Sequence, residues 1–156
     1  MPDTPEHQAG QPETILAFDF GLRRIGIAVG QTVSHSANPL GVVANRDSGP
    51  DIEAIARLID EWRPRRLVVG IPTREGGLPS DMDRPVQNFI GILGRFRLPV
   101  EAVDERNTSL EAEERLKNAR VAGKRGRISK EDIDAMAAAL IAERYLATGL
   151  DDTPPR

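Results

Sequence analysis

The segment from Thr14 to Gly30, TILAFDFGLRRIGIAVG, constrains the fold more than any other part of the chain. Two apolar runs are separated by a short tip that holds Gly21, Arg23 and Arg24. Runs of this length around a glycine-bearing tip predict a β-hairpin, with strands over 14–19 and 25–30. The first run looks buried and yet carries a carboxylate, Asp19, between Phe18 and Phe20. A charge in such a place has to be paired, protonated or bound to a cation.

The remaining pattern alternates between strands and helices. PLGVVA over 39–44 predicts a short third strand. From Asp51, apolar residues Ile52, Ile55, Ala56, Leu58, Ile59 and Trp62 recur at helical spacing until Pro64 stops the run. RRLVVGIP is a buried-strand signal, followed by the glycine- and proline-rich loop TREGGLPS. A second helix is expected near 80–96, with Val86, Phe89, Ile90 and Leu93 on one face, then a strand in LPVEAVDE. Thr108 and Glu111 have the spacing of a capping box, predicting a helix to about Ala119. Ser129 caps a last helix through SKEDIDAMAAALIAERYL. The order β-β-β-α-β-α-β-α-α predicts an α/β fold: a mixed five-stranded sheet with an antiparallel start, then βα units, and helices on both faces. One domain over 13–149 is expected, between disordered polar tails at 1–12 and 150–156.

The chain has no cysteine, which removes disulfides, zinc–thiolate sites and thiol nucleophiles. No apolar run approaches the roughly 18–20 residues of a membrane span, and 1–13 has no signal-peptide core. A soluble cytoplasmic protein without membrane partners is expected. The net charge of −3 does not advertise nucleic-acid binding, but charge is unevenly placed. Between Arg115 and Lys130 stand seven basic residues and no acidic one. Such a stretch is either a solvated loop or a phosphate-binding patch.

Three carboxylates fall where this layout does not need them for stability: Asp19 at the end of the first strand, Glu105 at the end of the last, and Asp134 in the first turns of the last helix. Sites in open α/β sheets gather outside strand ends. Three acids brought to one point repel unless a cation binds them or their pKa values rise. Hard cations, Mg²⁺ or Mn²⁺, suit carboxylates and can activate water for phosphodiester hydrolysis. Each acid also has a plainer reading. Asp19 suits a turn residue, Glu105 an exposed partner of Arg106, and Asp134 an acid favoured by the helix dipole. Asp104 and Glu131 compete as nearby alternatives. His7 reads as a tail residue and His35 as a loop residue.

LAFDFGLRRIGIAVG, LVVGIP, VDERNTSLEAEERL and IDAMAAALIAERYL together resemble the YqgF/RuvX family, over roughly 14–148. The resemblance implies an RNase H-like fold and a Mg²⁺- or Mn²⁺-dependent nuclease. It implies the same acidic set, Asp19, Glu105 and Asp134, as catalytic metal ligands, with Asp19 shared between two ions. The family is associated with maturation of the 5′ end of 16S ribosomal RNA and with Holliday-junction resolution; RNA processing is the expected role and junction resolution the alternative. Nucleic acid, pre-rRNA or branched DNA, is thus the expected partner, within ribosomal precursor particles in the first case, for a monomer or weak homodimer. Gly21 would allow close approach of a phosphate, and Arg23, Arg24, Arg106, Lys124, Arg125 and Arg127 would contact the backbone without reading sequence. The chain departs from the family pattern at Thr73–Gly77, beside the expected site, and at Asn107. Two rival readings share the fold: an actin-like ATPase relative, for which 156 residues supply only half the needed domains, and a non-catalytic RNA-binding module.

Overall fold

The computed structural model describes residues 13–71, 83–104, 108–121 and 128–148. The strands are β1 (Thr14–Asp19), β2 (Arg24–Gln31), β3 (Ser36–Arg46), β4 (Gly49–Pro50), β5 (Arg66–Ile71) and β6 (Val100–Asp104). The helices are α1 (Ile52–Trp62), α2 (Asp83–Leu93), which ends in a 3₁₀ turn at Gly94–Phe96, α3 (Thr108–Val121) and α4 (Lys130–Thr148). The sheet has six strands in the order β4-β3-β2-β1-β5-β6, rather than five. The added strand is the two-residue β4, whose Gly–Pro sequence carries no strand signal. The predicted hairpin forms, with Asp19 opposite Gly26. β1 pairs in parallel with β5, and β5 with β6.

β3 is longer than the 39–44 predicted. Its register against β2 jumps between Ile27 and Ala28, which pair with Gly41 and Pro39 and leave Leu40 as an extra residue. Pro39 has no N–H to give to the ladder, and Gly41 takes φ +142°, a conformation that a side chain would oppose. Proline and glycine look like strand ends in the sequence; here they mark a bulge inside one strand.

The two faces of the sheet read directly from alternation in the sequence. On one face Leu16, Phe18, Ile25, Ile27, Val29, Leu67 and Val69 form the main core with Ile55 of α1 and Val86, Phe89 and Leu93 of α2. Phe89 stands edge-on to Phe18, with ring centroids 5.6 Å apart. Truncating a buried phenylalanine of this kind costs about 3–5 kcal/mol. The other face carries smaller residues. Ala28 meets Ala138 and Ala139, and Ile15, Ala17 and Val68 meet Ile141, Ala142, Tyr145 and Leu146. α4 is apolar nearly all round because both its sides are covered: the sheet lies beneath it, and Ala112 of α3 packs on Ala137 and Leu140.

The helix ends follow local rules. Asp51 caps α1 by accepting from the Ala54 N–H at 3.1 Å. α1 stops at Arg63, in the left-handed conformation just before Pro64. At α4, Ser129 and Asp132 exchange reciprocal bonds of 3.0 Å, so the expected serine cap is present with aspartate as its partner. α3 begins at Thr108, whose side chain lies outside the described residues, and Glu111 accepts from Arg144 of α4 at 3.3 Å. Among the described residues no helix is long and apolar enough to cross a membrane. The expected tails, 1–12 and 150–156, lie outside the described residues.

Candidate active site

β1, β5 and β6 run in one direction and end at Asp19, Ile71 and Asp104, which defines one end of the sheet. On β1, Asp19 continues the alternation of Ile15 and Ala17 and so shares the face covered by α4. It is half-buried at the strand end.

What brings α4 to Asp19 is an absence of side chain on β2. A Cβ built on Gly26 would lie 2.1 Å from the Asp134 carbonyl oxygen and 2.5 Å from its carbon. The backbone of Asp134 therefore rests on the strand at the position paired with Asp19. Ala28 and Gly30 extend the same small-residue face, with Leu146 against Gly30. The large residues of IGIAVG build one core, and its small residues let the helix bearing Asp134 seat closely on the other side.

Arg24 is on this face too, two residues before Gly26. Its Nε donates to Asp134 Oδ2 at 2.7 Å, in a partly exposed ion pair. The structure thus joins an expected phosphate ligand to an expected metal ligand. The turn between β1 and β2 has its own internal supports. A Cβ on Gly21 would meet the Arg24 carbonyl oxygen at 2.6 Å, so the tight turn itself needs glycine. Asn45 of β3 donates through Nδ2 to the Gly21 carbonyl at 2.7 Å and through its N–H to the Arg23 carbonyl at 2.9 Å. Arg23 is exposed at this turn.

At the end of β6, Arg144 of α4 donates to the Asp104 carbonyl at 2.8 Å while holding Glu111 of α3. This clamp fixes the last residue before Glu105. Asp104 and Glu131 are both exposed. Glu105, Arg106, Lys124, Arg125, Arg127 and the Thr73–Gly77 loop lie outside the described residues. Among the described residues, no three His, Cys, Asp or Glu side chains gather as a metal site. The described part of the expected set is therefore Asp19 and Asp134, two oxygen donors from β1 and α4 of the kind that hard cations take. His35 stands in an exposed turn, and Trp62 packs against the main core.

Gly26, Asn45 and Arg144 were not among the residues singled out from sequence. Gly26 had a visible signal in the small–large alternation of IGIAVG. Asn45 and Arg144 had none, because each acts through a partner far along the chain.

Known proteins sharpen this description. A family model described as "RuvX: Holliday junction resolvase" matches residues 13–148. Among relatives, a Paraburkholderia xenovorans protein described as "Putative pre-16S rRNA nuclease" is 43% identical over 145 residues, spanning 92% of this chain and 94% of its own length. A Chromohalobacter salexigens protein with the same description is 47% identical over 147 residues, spanning 94% of this chain and 95% of its own. Solved structures share the fold at lower identity. Thermus thermophilus RuvC bound to a Holliday-junction substrate superposes with a TM-score of 0.53 at 21% identity, covering 88% of this chain and 96% of that one. Fowlpox virus resolvase with junction DNA gives 0.52 at 13% identity, covering 88% and 99%. The fold is RNase H-like, and the chain belongs to the RuvX family.

Proposed function

We propose that this protein hydrolyses nucleic-acid phosphodiesters and matures the 5′ end of pre-16S ribosomal RNA in the cytoplasm. The observation that carries the reading is the seating of Asp134 on Gly26, opposite Asp19, at the carboxyl end of the parallel strands. The relatives' description supports the choice of substrate.

Asp19 and Asp134, with Glu105 directly after β6, would hold Mg²⁺ or Mn²⁺. Such cations supply activation of water and neutralisation of charge on the leaving oxygen. The chain's own residues do the rest. β1 and β2 hold Asp19 rigidly at the rim of a packed sheet, and α4 presents Asp134 from a helix with no freedom to move inward. Arg24 compensates the Asp134 carboxylate across 2.7 Å. Its guanidinium has further N–H donors suited to a phosphate oxygen, so it can serve the substrate from almost the same position. Arg23 adds an exposed cation at the same turn.

The test is Asp19→Asn assayed on a precursor RNA carrying the 16S 5′ leader. Mg²⁺-dependent cleavage should fall below detection while the melting temperature is retained. A wild-type rate in the variant would overturn the assignment. A four-way DNA junction in parallel addresses the second reading, junction resolution, which the family description favours. Cleavage of the junction alone would replace the RNA reading.

A further inference from the structure

The opposite end of the sheet carries a second basic surface. There the Arg65 N–H donates to the Thr14 carbonyl and the Leu67 N–H to the Pro99 carbonyl, each at 2.8 Å, tying together the starts of β1, β5 and β6. A groove of about 610 Å³ opens beside this junction, between the C-terminal half of α1 and the 3₁₀ turn after α2. Arg57, Asp60 and Arg63 line it, over a floor of Pro64, Phe96 and Leu98. Arg65, Arg95 and Arg97 neighbour these lining positions in sequence, and all five arginines are exposed.

Structural duties account for little of this charge. Arg63 Nε donates to the Asp60 carbonyl at 3.2 Å, which suits a cation at a helix C-terminus. None of the five arginines forms an ion pair among the described residues. Arg63 and Arg97 both occupy left-handed positions, φ 50° and 60°, where glycine or asparagine is the low-cost choice. The five exposed cations outnumber the exposed carboxylates of α1, Glu53, Asp60 and Glu61, and form a local positive field on a chain whose net charge is −3.

We propose that this groove is a second nucleic-acid contact, holding the RNA phosphate backbone away from the cleaved bond. It rests on the pre-rRNA reading for the identity of its occupant. β1 spans six residues between the groove end and Asp19. At about 3.3 Å per residue the two contacts are separated by roughly 17 Å along the strand. A substrate long enough to reach both is therefore held more tightly than a short one. Such contacts set position and affinity without reading bases.

The experiment is equilibrium binding of the full chain to RNA carrying the 16S 5′ leader, across a salt series. The variant Arg57→Gln/Arg63→Asn/Arg97→Asn removes three charges, and asparagine suits the left-handed positions, so the melting temperature should hold. Losing three single-strand phosphate contacts lowers the log–log salt slope by about 2, which is about a hundredfold in affinity at 0.1 M salt when the lines meet at 1 M. An unchanged slope and affinity in a folded variant would overturn the groove. Failure of the pre-rRNA reading shows separately, in the wild-type protein: binding to a four-way DNA junction but not to the RNA would overturn RNA as the occupant.

Discussion

Gly26→Ala tests whether one missing side chain sets the site. The added Cβ would stand 2.1 Å from the Asp134 carbonyl oxygen, 2.5 Å from its carbon and 3.1 Å from the Ala135 nitrogen. A carbon–oxygen contact without repulsion needs about 3.3 Å, so α4 has to retreat by about 1 Å. The obstructing atoms are backbone, and no side-chain rotation relieves them. Overpacking costs about 1–3 kcal/mol, and a helix wedged between the sheet and α3 belongs at the upper end. A loss of about 3 kcal/mol lowers the melting temperature of a domain this size by roughly 6–12 °C. The same 1 Å carries Asp134 away from Asp19, and misplacement on that scale costs about 10²-fold in rate.

Circular-dichroism melting and single-turnover cleavage of the 16S precursor with Mg²⁺ read the two effects together. Gly91→Ala is the control, because a Cβ there meets nothing within 4 Å. Exposed in the last turn of α2, it should stabilise by up to about 1 kcal/mol and leave cleavage alone. The pattern separates two kinds of loss: Asp19→Asn removes activity and spares stability, whereas Gly26→Ala removes both. A Gly26→Ala protein that melts with the wild type and cleaves at its rate would refute the close seating of α4.

Two further outcomes follow from ionic contacts. Arg24→Gln removes the cation that competes for Asp134, so the Mg²⁺ concentration giving half-maximal cleavage should fall several-fold, with at most about 1 kcal/mol lost from a partly exposed pair; a higher Mg²⁺ requirement would contradict this. Burial raises the Tyr145 pKa above its ordinary value, and the Arg66 guanidinium opposes without reversing it. Folding stability from this group is thus fully present below about pH 10 and is lost as pH rises through the folded value. Tyr145 is the single tyrosine of the chain, so tyrosinate absorbance reads it directly. A titration midpoint at or below that of the unfolded chain would refute the burial argument.

How much of this was legible in the sequence depended on the range of the interaction. The hairpin, α1 and the Ser129 cap are written in residues within a few positions of each other, and each formed as expected. β3 extends beyond the predicted 39–44 because the polar residues Ser36 and Asn38 before Pro39, and Asn45 and Arg46 after Ala44, carry no apolar strand signal, while a bulge carries the strand through Pro39 and Gly41. β4 left no local signal, since its pairing is fixed by the turn after Arg46 rather than by side chains.

The site depended on a pattern that is local in sequence but acquires meaning only in three dimensions. In IGIAVG every second residue is glycine or alanine, which by strand propensity alone weakens β2. That weakness is offset by α4, whose run of alanines keeps the helix intrinsically stable and also permits close approach to a strand of small residues. The two small-residue faces, more than a hundred positions apart, are complementary, and their contact places Asp134 opposite Asp19. Arg24 and Asp134, 110 residues apart, then meet at hydrogen-bond distance as a consequence of the same seating. An acid at the end of an apolar strand is costly by itself. It becomes intelligible when the adjacent strand is seen to omit the side chain that would keep a second acid away.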